Sequence, residues 1–360
     1  MATITKYPGG RWRAQVRKAG FATRSEIFPT RKRAETWASG IEKEMDEHTY
    51  RDPSRFAKDT IGALFERFRD EICKPSLEAI KAGKNRHDAG LAFFRKGARW
   101  DIVRINALIR DAEFVKRRTL ELMPADLRKW RDKRLEQIAP PSVNREMNLI
   151  SSIFSHAMAE WDYPWRVNPI HEVGRPEGAS GIPRKRRWTD AELQAILTAS
   201  NYDPETPPRA GADYVPWGLL LIIESAMRPK EFCTAKVKDA QLERRCLVLH
   251  DSKNGNARDV PLSSKAVQII ATLTRGKSPD EKIFPMTSDT LGNYYREVRV
   301  KAGLKEADLR FYDGKHEAIS RMARKFRDAV ELSKVTGHKD LKSLSVYFNP
   351  TVEELADKLG

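Results

Sequence analysis

Residues 337–347 read Gly337-His338-Lys339-Asp340-Leu341-Lys342-Ser343-Leu344-Ser345-Val346-Tyr347, and Ala226-Met227-Arg228-Pro229-Lys230-Glu231-Phe232 stands about a hundred residues upstream. A tyrosine nine residues beyond a Gly-His pair, with an arginine elsewhere in the chain, suggests a phenol attacking a phosphate. A phenol ionises near pH 10, so it is a poor nucleophile at neutral pH unless cations and hydrogen-bond donors surround the phosphodiester. Arginine, lysine and histidine supply those groups without a metal. Each residue singly has a plainer reading: Tyr347 as a partly buried aromatic, and Gly337-His338 as a helix C-cap followed by a polar turn.

A chain of 360 residues is long enough for two or three domains, each with its own core. The 66 Lys+Arg against 50 Asp+Glu leave a net charge of +16, and the pI near 9.7 fits a protein whose partner is a polyanion. Nucleic acid is the first candidate, although ribosome-associated and anionic-membrane proteins share this balance. The longest apolar run, Val215 to Ile223, is broken at once by Glu224. It is far short of a bilayer span and reads as a buried helix. No charged-then-apolar signal segment opens the chain, and Cys73, Cys233 and Cys246 are an odd number without CxxC spacing. The expectation is a reduced, cytoplasmic protein with no disulfide, no cysteine-bound metal and no membrane partner.

Residues 1–50 read as a small strand-rich unit closed by a helix. Trp12, Ala14 and Val16 alternate with Arg11, Arg13, Gln15 and Arg17, giving a half-buried strand with one basic face. Thr30 caps a helix in which Ala34, Trp37, Ala38, Ile41 and Met45 recur at helical spacing. That face covers the sheet, and the opposite, cationic face suits a DNA major groove. Residues 58–172 are helical: Thr60 leads into Ile61, Leu64, Phe65 and Phe68, Pro124 starts a second helix, and Ser142 caps the longest one. Lys129, Asn144 and Arg145 lie off its apolar stripes as candidate phosphate contacts, with a solvated face as the alternative. A linker, 173–187, ends in the basic run Arg184-Lys185-Arg186-Arg187, which suits a strap closing around a duplex. A capping box, Thr189-Asp190-Ala191-Glu192, then opens a final domain, 188–360. There, Cys246 to Leu249 and Arg258 to Leu262 are two strands of a hairpin whose turn carries Lys253. A lysine on such a hairpin can protonate a leaving oxygen, though an exposed turn lysine is commoner.

With these residues in place the chain resembles the tyrosine recombinase family, the phage-type integrases, over nearly its whole length. Arg228 with Glu231, Lys253 in Lys253-Asn254-Gly255 ahead of Val260-Pro261-Leu262, and His338 with Tyr347 match three family motifs in order, and Ser142-Val143-Asn144-Arg145-Glu146 falls in the matching helical domain. The resemblance implies an α+β, mainly helical fold with an arm-type N-terminal unit, a helical core-binding bundle and a mixed α/β catalytic domain. It implies double-stranded DNA attachment sites as partner, a monomer that becomes a homotetramer on DNA, and no cofactor. Tyr347 would attack to give a 3′-phosphotyrosine, Arg228, Lys315 and His338 would neutralise the phosphate, and Lys253 would protonate the 5′-oxygen.

One motif departs from the family. Its His-Asp-Leu-Arg-His element aligns with Tyr312-Asp313-Gly314-Lys315-His316, so tyrosine stands for a catalytic histidine and lysine for a catalytic arginine. A guanidinium grips two phosphate oxygens with a rigid fork, whereas an ammonium is a point charge on a flexible stem. Lys315 keeps the charge and Tyr312 keeps a hydroxyl, so the expectation is a weakened site that still works. A rival reading is a degenerate relative that binds DNA as a regulator. A third is a topoisomerase-like enzyme acting on one duplex. The segment Thr351 to Leu359 reads as a short helix that docks on a neighbour or on its own domain.

Overall fold

The alternation in Arg11–Val16 produces a strand with one buried face. In the computed structural model β1 (Ala2–Tyr7), β2 (Arg11–Val16) and β3 (Arg24–Phe28) form an antiparallel sheet in that order, Thr5 and Ile27 flanking Arg13. α1 (Arg31–Asp46) begins at Thr30, whose hydroxyl accepts from the Arg33 amide at 3.4 Å. Its Ala34, Ala38 and Met45 pack with Ala14 and Val16 in one small core. The structure describes residues 2–181, 184, 186–250, 257–326, 328–338, 340, 341, 344 and 347. Lys185, Lys253 and the segment 351–359 lie outside them.

α2 (Ile61–Phe68) starts at Thr60, which accepts from the Ala63 amide at 3.1 Å, and continues through a π-helical turn, Arg69–Cys73, into α3 (Lys74–Lys81). α4 (Ala98–Asp111), α5 (Pro124–Leu135) and α6 (Pro140–Glu160) complete the bundle around Phe65, Ile105, Leu127, Met147 and Phe154. α6 starts earlier than Ser142. Ala139 is its N-cap, and Pro140 and Pro141 take the first two positions, where a missing N–H leaves no bond unmade. The sheet and the bundle keep separate cores but fall within one compact unit, Met1–Ile182. Arg51 donates to the Tyr163 carbonyl at 3.1 Å, and Arg166 pairs with Glu44. The first part of the expected linker is packed chain: Val173 is buried in the bundle core and Arg131 donates to the Gly174 carbonyl at 2.6 Å.

The second unit is Pro183–Gly360. α7 (Asp190–Ala199) opens with the expected capping box, Thr189 accepting from the Glu192 amide at 3.2 Å while Glu192 accepts from the Thr189 amide at 3.0 Å. The apolar run becomes α8 (Tyr214–Ser225), buried on all sides, and α9 (Pro229–Thr234) follows. β4 (Ala240–Gln241), β5 (Cys246–Leu249) and β6 (Arg258–Pro261) form an antiparallel sheet with Leu249 opposite Arg258. α10 (Ser264–Thr274), α11 (Ser288–Lys301), α12 (Asp313–Ala323) and α13 (Ala329–Thr336) complete it. The α+β, mainly helical class expected from the sequence is the one observed. No helix among the described residues is long and apolar enough to cross a membrane.

α8 and α12 approach closely because position 314 is a glycine. A Cβ there would lie 3.1 Å from Ile222 Cγ2 and 3.2 Å from Leu219 Cδ1. Gly314→Leu, which would install the residue the family motif carries, is expected to lower stability by about 1–3 kcal/mol through overpacking. Urea midpoints would show it, and a variant as stable as the native chain would contradict this close contact.

Candidate active site

α8 ends in a left-handed residue, Ala226, with φ of 53°, and this turn delivers Arg228 as the N-cap of α9. Glu231 reaches back to accept from the Arg228 amide at 2.8 Å and from Arg228 Nη1 at 2.9 Å. Arg258, at the start of β6, donates to the same carboxylate from Nη1 at 3.3 Å and Nη2 at 3.2 Å. One carboxylate, 4% exposed, therefore holds two guanidiniums. Arg258 was not singled out in the sequence. Its signal was the period-2 pattern of β6, which puts it on the same face as the fully buried Val260.

Lys315 is 2% exposed on α12, and its ammonium donates to the carbonyls of Ala226 and, at 3.2 Å, Thr336. The first carbonyl lies two residues before Arg228 and the second two residues before His338. Lys315 thus ties together the two loops that carry those side chains. Burial, and then the neighbouring Arg228 charge, push its ammonium down to about 7.

α13 closes on Gly337, with φ of 70° and its amide on the Ser333 carbonyl at 2.8 Å. A Cβ at this position would lie 2.6 Å from Arg258 Cζ. The C-cap reading of Gly337-His338 therefore holds, and the cap packs against Arg258. The Thr336 hydroxyl donates to the Leu332 carbonyl at 2.8 Å and so accepts from His338 Nδ1 at 2.7 Å. Burial, then the charges of Lys315, Arg228 and Arg258, hold His338 at about 4.

Tyr347 is half-buried, packed against the cluster of Ala226, Ala318, Ile319, Leu332 and Leu344 of its own unit. Its hydroxyl shares a hydrogen bond with His316 Nδ1, and the two rings lie 23° from parallel with centroids 6.2 Å apart. Burial, then the nearby Tyr312, raises its pKa above the ordinary tyrosine value. Tyr312 is 43% exposed and meets His316 edge-on at 6.2 Å. Arg228, Lys315, His338 and Tyr347 thus gather in one part of this unit, Lys315 from α12, with Tyr312 at the rim.

The described arginines of the run before α7 are directed inward. Arg184 makes a two-pronged pair with Asp313 at 2.7 and 2.8 Å and reaches Asp308 at 2.7 Å. Arg187 does the same with Glu317 at 2.9 and 3.1 Å, and Arg186 pairs with Glu192. Asp313 and Glu317 are 1% and 3% exposed on α12, and buried carboxylates require counter-charges. Arg184 and Arg187 brace the helix that carries Lys315 and His316, and Arg186 ties to the first turn of α7, in place of forming an open strap. Among the other candidate DNA contacts, Arg11 and Arg13 are exposed on the sheet face opposite α1, Arg13 donating to Ser25 at 2.7 Å. Arg17 is exposed just beyond β2, and Arg145 is exposed on α6. Lys129 lies 3.4 Å from Glu113, while Asn144 accepts from Arg175 at 3.1 Å and donates to the Ala179 carbonyl at 3.4 Å.

Burial holds three imidazoles, His156, His316 and His338, below the ordinary histidine range. Unfolded histidines titrate near 6.5, so the unfolded chain binds more protons below that pH. Stability is therefore fully present above about pH 6.5 and falls as pH drops towards the folded values. The melting temperature is expected to decline between roughly pH 6.5 and 5, with a shallower slope in His338→Gln. Identical slopes would contradict a buried neutral His338.

The model of the phage integrase family matches residues 186–354. A Haemophilus influenzae protein carrying the name integrase/recombinase is 31% identical over 358 residues, covering 98% of this chain and 89% of its own. The shufflon-specific DNA recombinase of Escherichia coli is 30% identical, covering 74% of this chain and 67% of its own. In fold, the chain is similar to a lambda integrase dimer bound to a core site, with a TM-score of 0.59 at 17% identity over 96% of this chain and 94% of that one. It is also similar to the Tn1549 transposon integrase in complex with transposon right-end DNA, with a TM-score of 0.58 at 14% identity over 80% and 98%. The chain belongs to the tyrosine recombinase family, the phage-type integrases, and is a site-specific DNA recombinase.

Proposed function

We propose that Tyr347 is the nucleophile of this recombinase and that its attack on a scissile phosphate leaves a 3′-phosphotyrosine and a free 5′-hydroxyl. The observation that carries this is the cluster itself: Tyr347 lies in the same unit as Arg228, His338 and the lysine that ties their loops together. The Arg228 guanidinium, oriented by Glu231, meets the phosphate oxygens. His338, with Nδ1 on Thr336, turns Nε2 to the phosphate and gains a proton when that anion enters. Lys315 adds positive potential from behind while fixing both loops, so its loss of a guanidinium's fork is offset in part by what it organises. Lys253 is the proposed proton donor to the 5′-oxygen. Neither metal nor nucleotide takes part.

The exposed sheet face with Arg11 and Arg13, Arg17 beyond it, and Lys129, Asn144 and Arg145 of the bundle are the proposed DNA contacts. Arg184 and Arg187 act through α12 and Arg186 through Glu192 of α7, and Lys185 remains a candidate contact. A lambda integrase tetramer has been seen on a Holliday junction. By analogy this chain works as four protomers on two duplexes, from a cytoplasmic monomer.

A nicked duplex carrying the junction sequences that flank the gene tests this reading. Native protein is expected to give a denaturation-resistant adduct, in chelator as well as without it. An adduct formed only by the Tyr312→His, Lys315→Arg double variant would instead make the chain a DNA-binding relative that has lost its chemistry.

A further inference from the structure

A phenol must give up its proton as its oxygen bonds to phosphorus, so a nucleophilic Tyr347 needs an acceptor within hydrogen-bond reach. Among the described residues, the hydroxyl's hydrogen-bond partner is His316 Nδ1. Position 312, where the family motif carries histidine, holds a tyrosine that touches His316 edge-on. A phenol there offers no basic nitrogen to take the proton. Tyr312, the N-cap of α12, and His316 are one helical turn apart and their rings meet, so an imidazole displaced by four residues still lies beside the nucleophile. We propose that His316 is the general base for Tyr347, supplying from the next turn the imidazole that position 312 lacks.

The surroundings suit that role. Burial keeps His316 neutral, with Lys315 and Arg184 acting in the same direction and Asp313 opposing them. Tyr312 and Tyr347 face the ring, and among the described residues His338, held neutral by burial, is a further titratable neighbour. With its proton on Nε2, neutral His316 presents the Nδ1 lone pair to the hydroxyl. In cleavage the Oη–P bond forms, the phenolic proton passes to Nδ1, the P–O5′ bond breaks, and the 5′-oxygen takes a proton from the acid assigned to Lys253. Rejoining reverses each transfer, and the imidazolium returns its proton to Tyr347.

This assignment rests on the recombinase reading, and one substrate separates the two. A duplex with a 5′-bridging sulfur at the scissile phosphate releases a thiolate that needs no acid, so the pH dependence of adduct formation reports the nucleophile alone. His316→Asn keeps a hydrogen-bonding side chain that takes up no proton. It is expected to slow adduct formation by about 10²-fold or more and to abolish the loss of rate at low pH. Added imidazole should restore part of the rate to His316→Ala, and an unchanged footprint on the duplex shows that both variants fold. A rate within about threefold of native, or a slower rate with the acid limb intact, would overturn the base and leave a positioning contact. No adduct from the native chain would overturn the recombinase reading and the base together.

Discussion

Tyr347→Phe is expected to form no covalent adduct with a nicked site duplex while binding it about as well as the native chain. The phenyl ring keeps its place against Ala318, Leu332 and Leu344, so the change removes one oxygen and its bond to His316. A hydrogen bond of this kind contributes roughly 1 kcal/mol to stability, too little to unseat the ring. The chemistry has no such margin. Without an oxygen to bond to phosphorus, adduct formation should fall to background, since the remaining cations polarise the phosphate without attacking it. A denaturing gel beside a footprint separates the two effects. Residual adduct at more than a trace would mean that another residue is the nucleophile.

Glu231→Ala should have the second largest effect, because a single buried carboxylate carries three duties. It accepts from the Arg228 amide, orients the Arg228 guanidinium and neutralises Arg258. Removing it leaves Arg228 and Arg258 unpaired near the buried Lys315 ammonium. Breaking a buried ion pair typically costs about 3–5 kcal/mol. Cleavage should fall by about 10²–10³ as well, since a guanidinium without its anchor no longer meets the phosphate in a fixed place. Glu231→Gln retains acceptors for the Arg228 amide but not the charge, so it should fold better than the alanine variant and still cut slowly. Denaturant midpoints with adduct rates decide this. An alanine variant with native stability and rate would show that the carboxylate organises nothing.

Local pattern made much of this fold legible. The alternation in β2, the capping box before α7, the uninterrupted apolar run of α8 and the hairpin strands β5 and β6 are short-range signals, and each element formed where its residues called for it. The start of α6 was displaced because two prolines at helix positions one and two outweigh a serine cap. Motif spacing singled out Arg228, Lys315, His338 and Tyr347, but not what their neighbours do. Arg184 and Arg187 read as a free basic run because the carboxylates that claim them, Asp313 and Glu317, lie 129 and 130 residues further along. Nothing in a sequence shows that two backbone carbonyls converge on the Lys315 ammonium. His316 was visible only as a neighbour in a motif, since its bond to Tyr347 spans 31 residues.

The most direct test of the central claim is to map the covalent bond. Adduct formed by the native chain would be digested with protease and nuclease and the linked peptide fragmented in a mass spectrometer. A nucleotide joined through its 3′-phosphate to the Tyr347 oxygen, with a free 5′-hydroxyl on the released strand, is the predicted result. A linkage to any other residue, or through a 5′-phosphate, would contradict it.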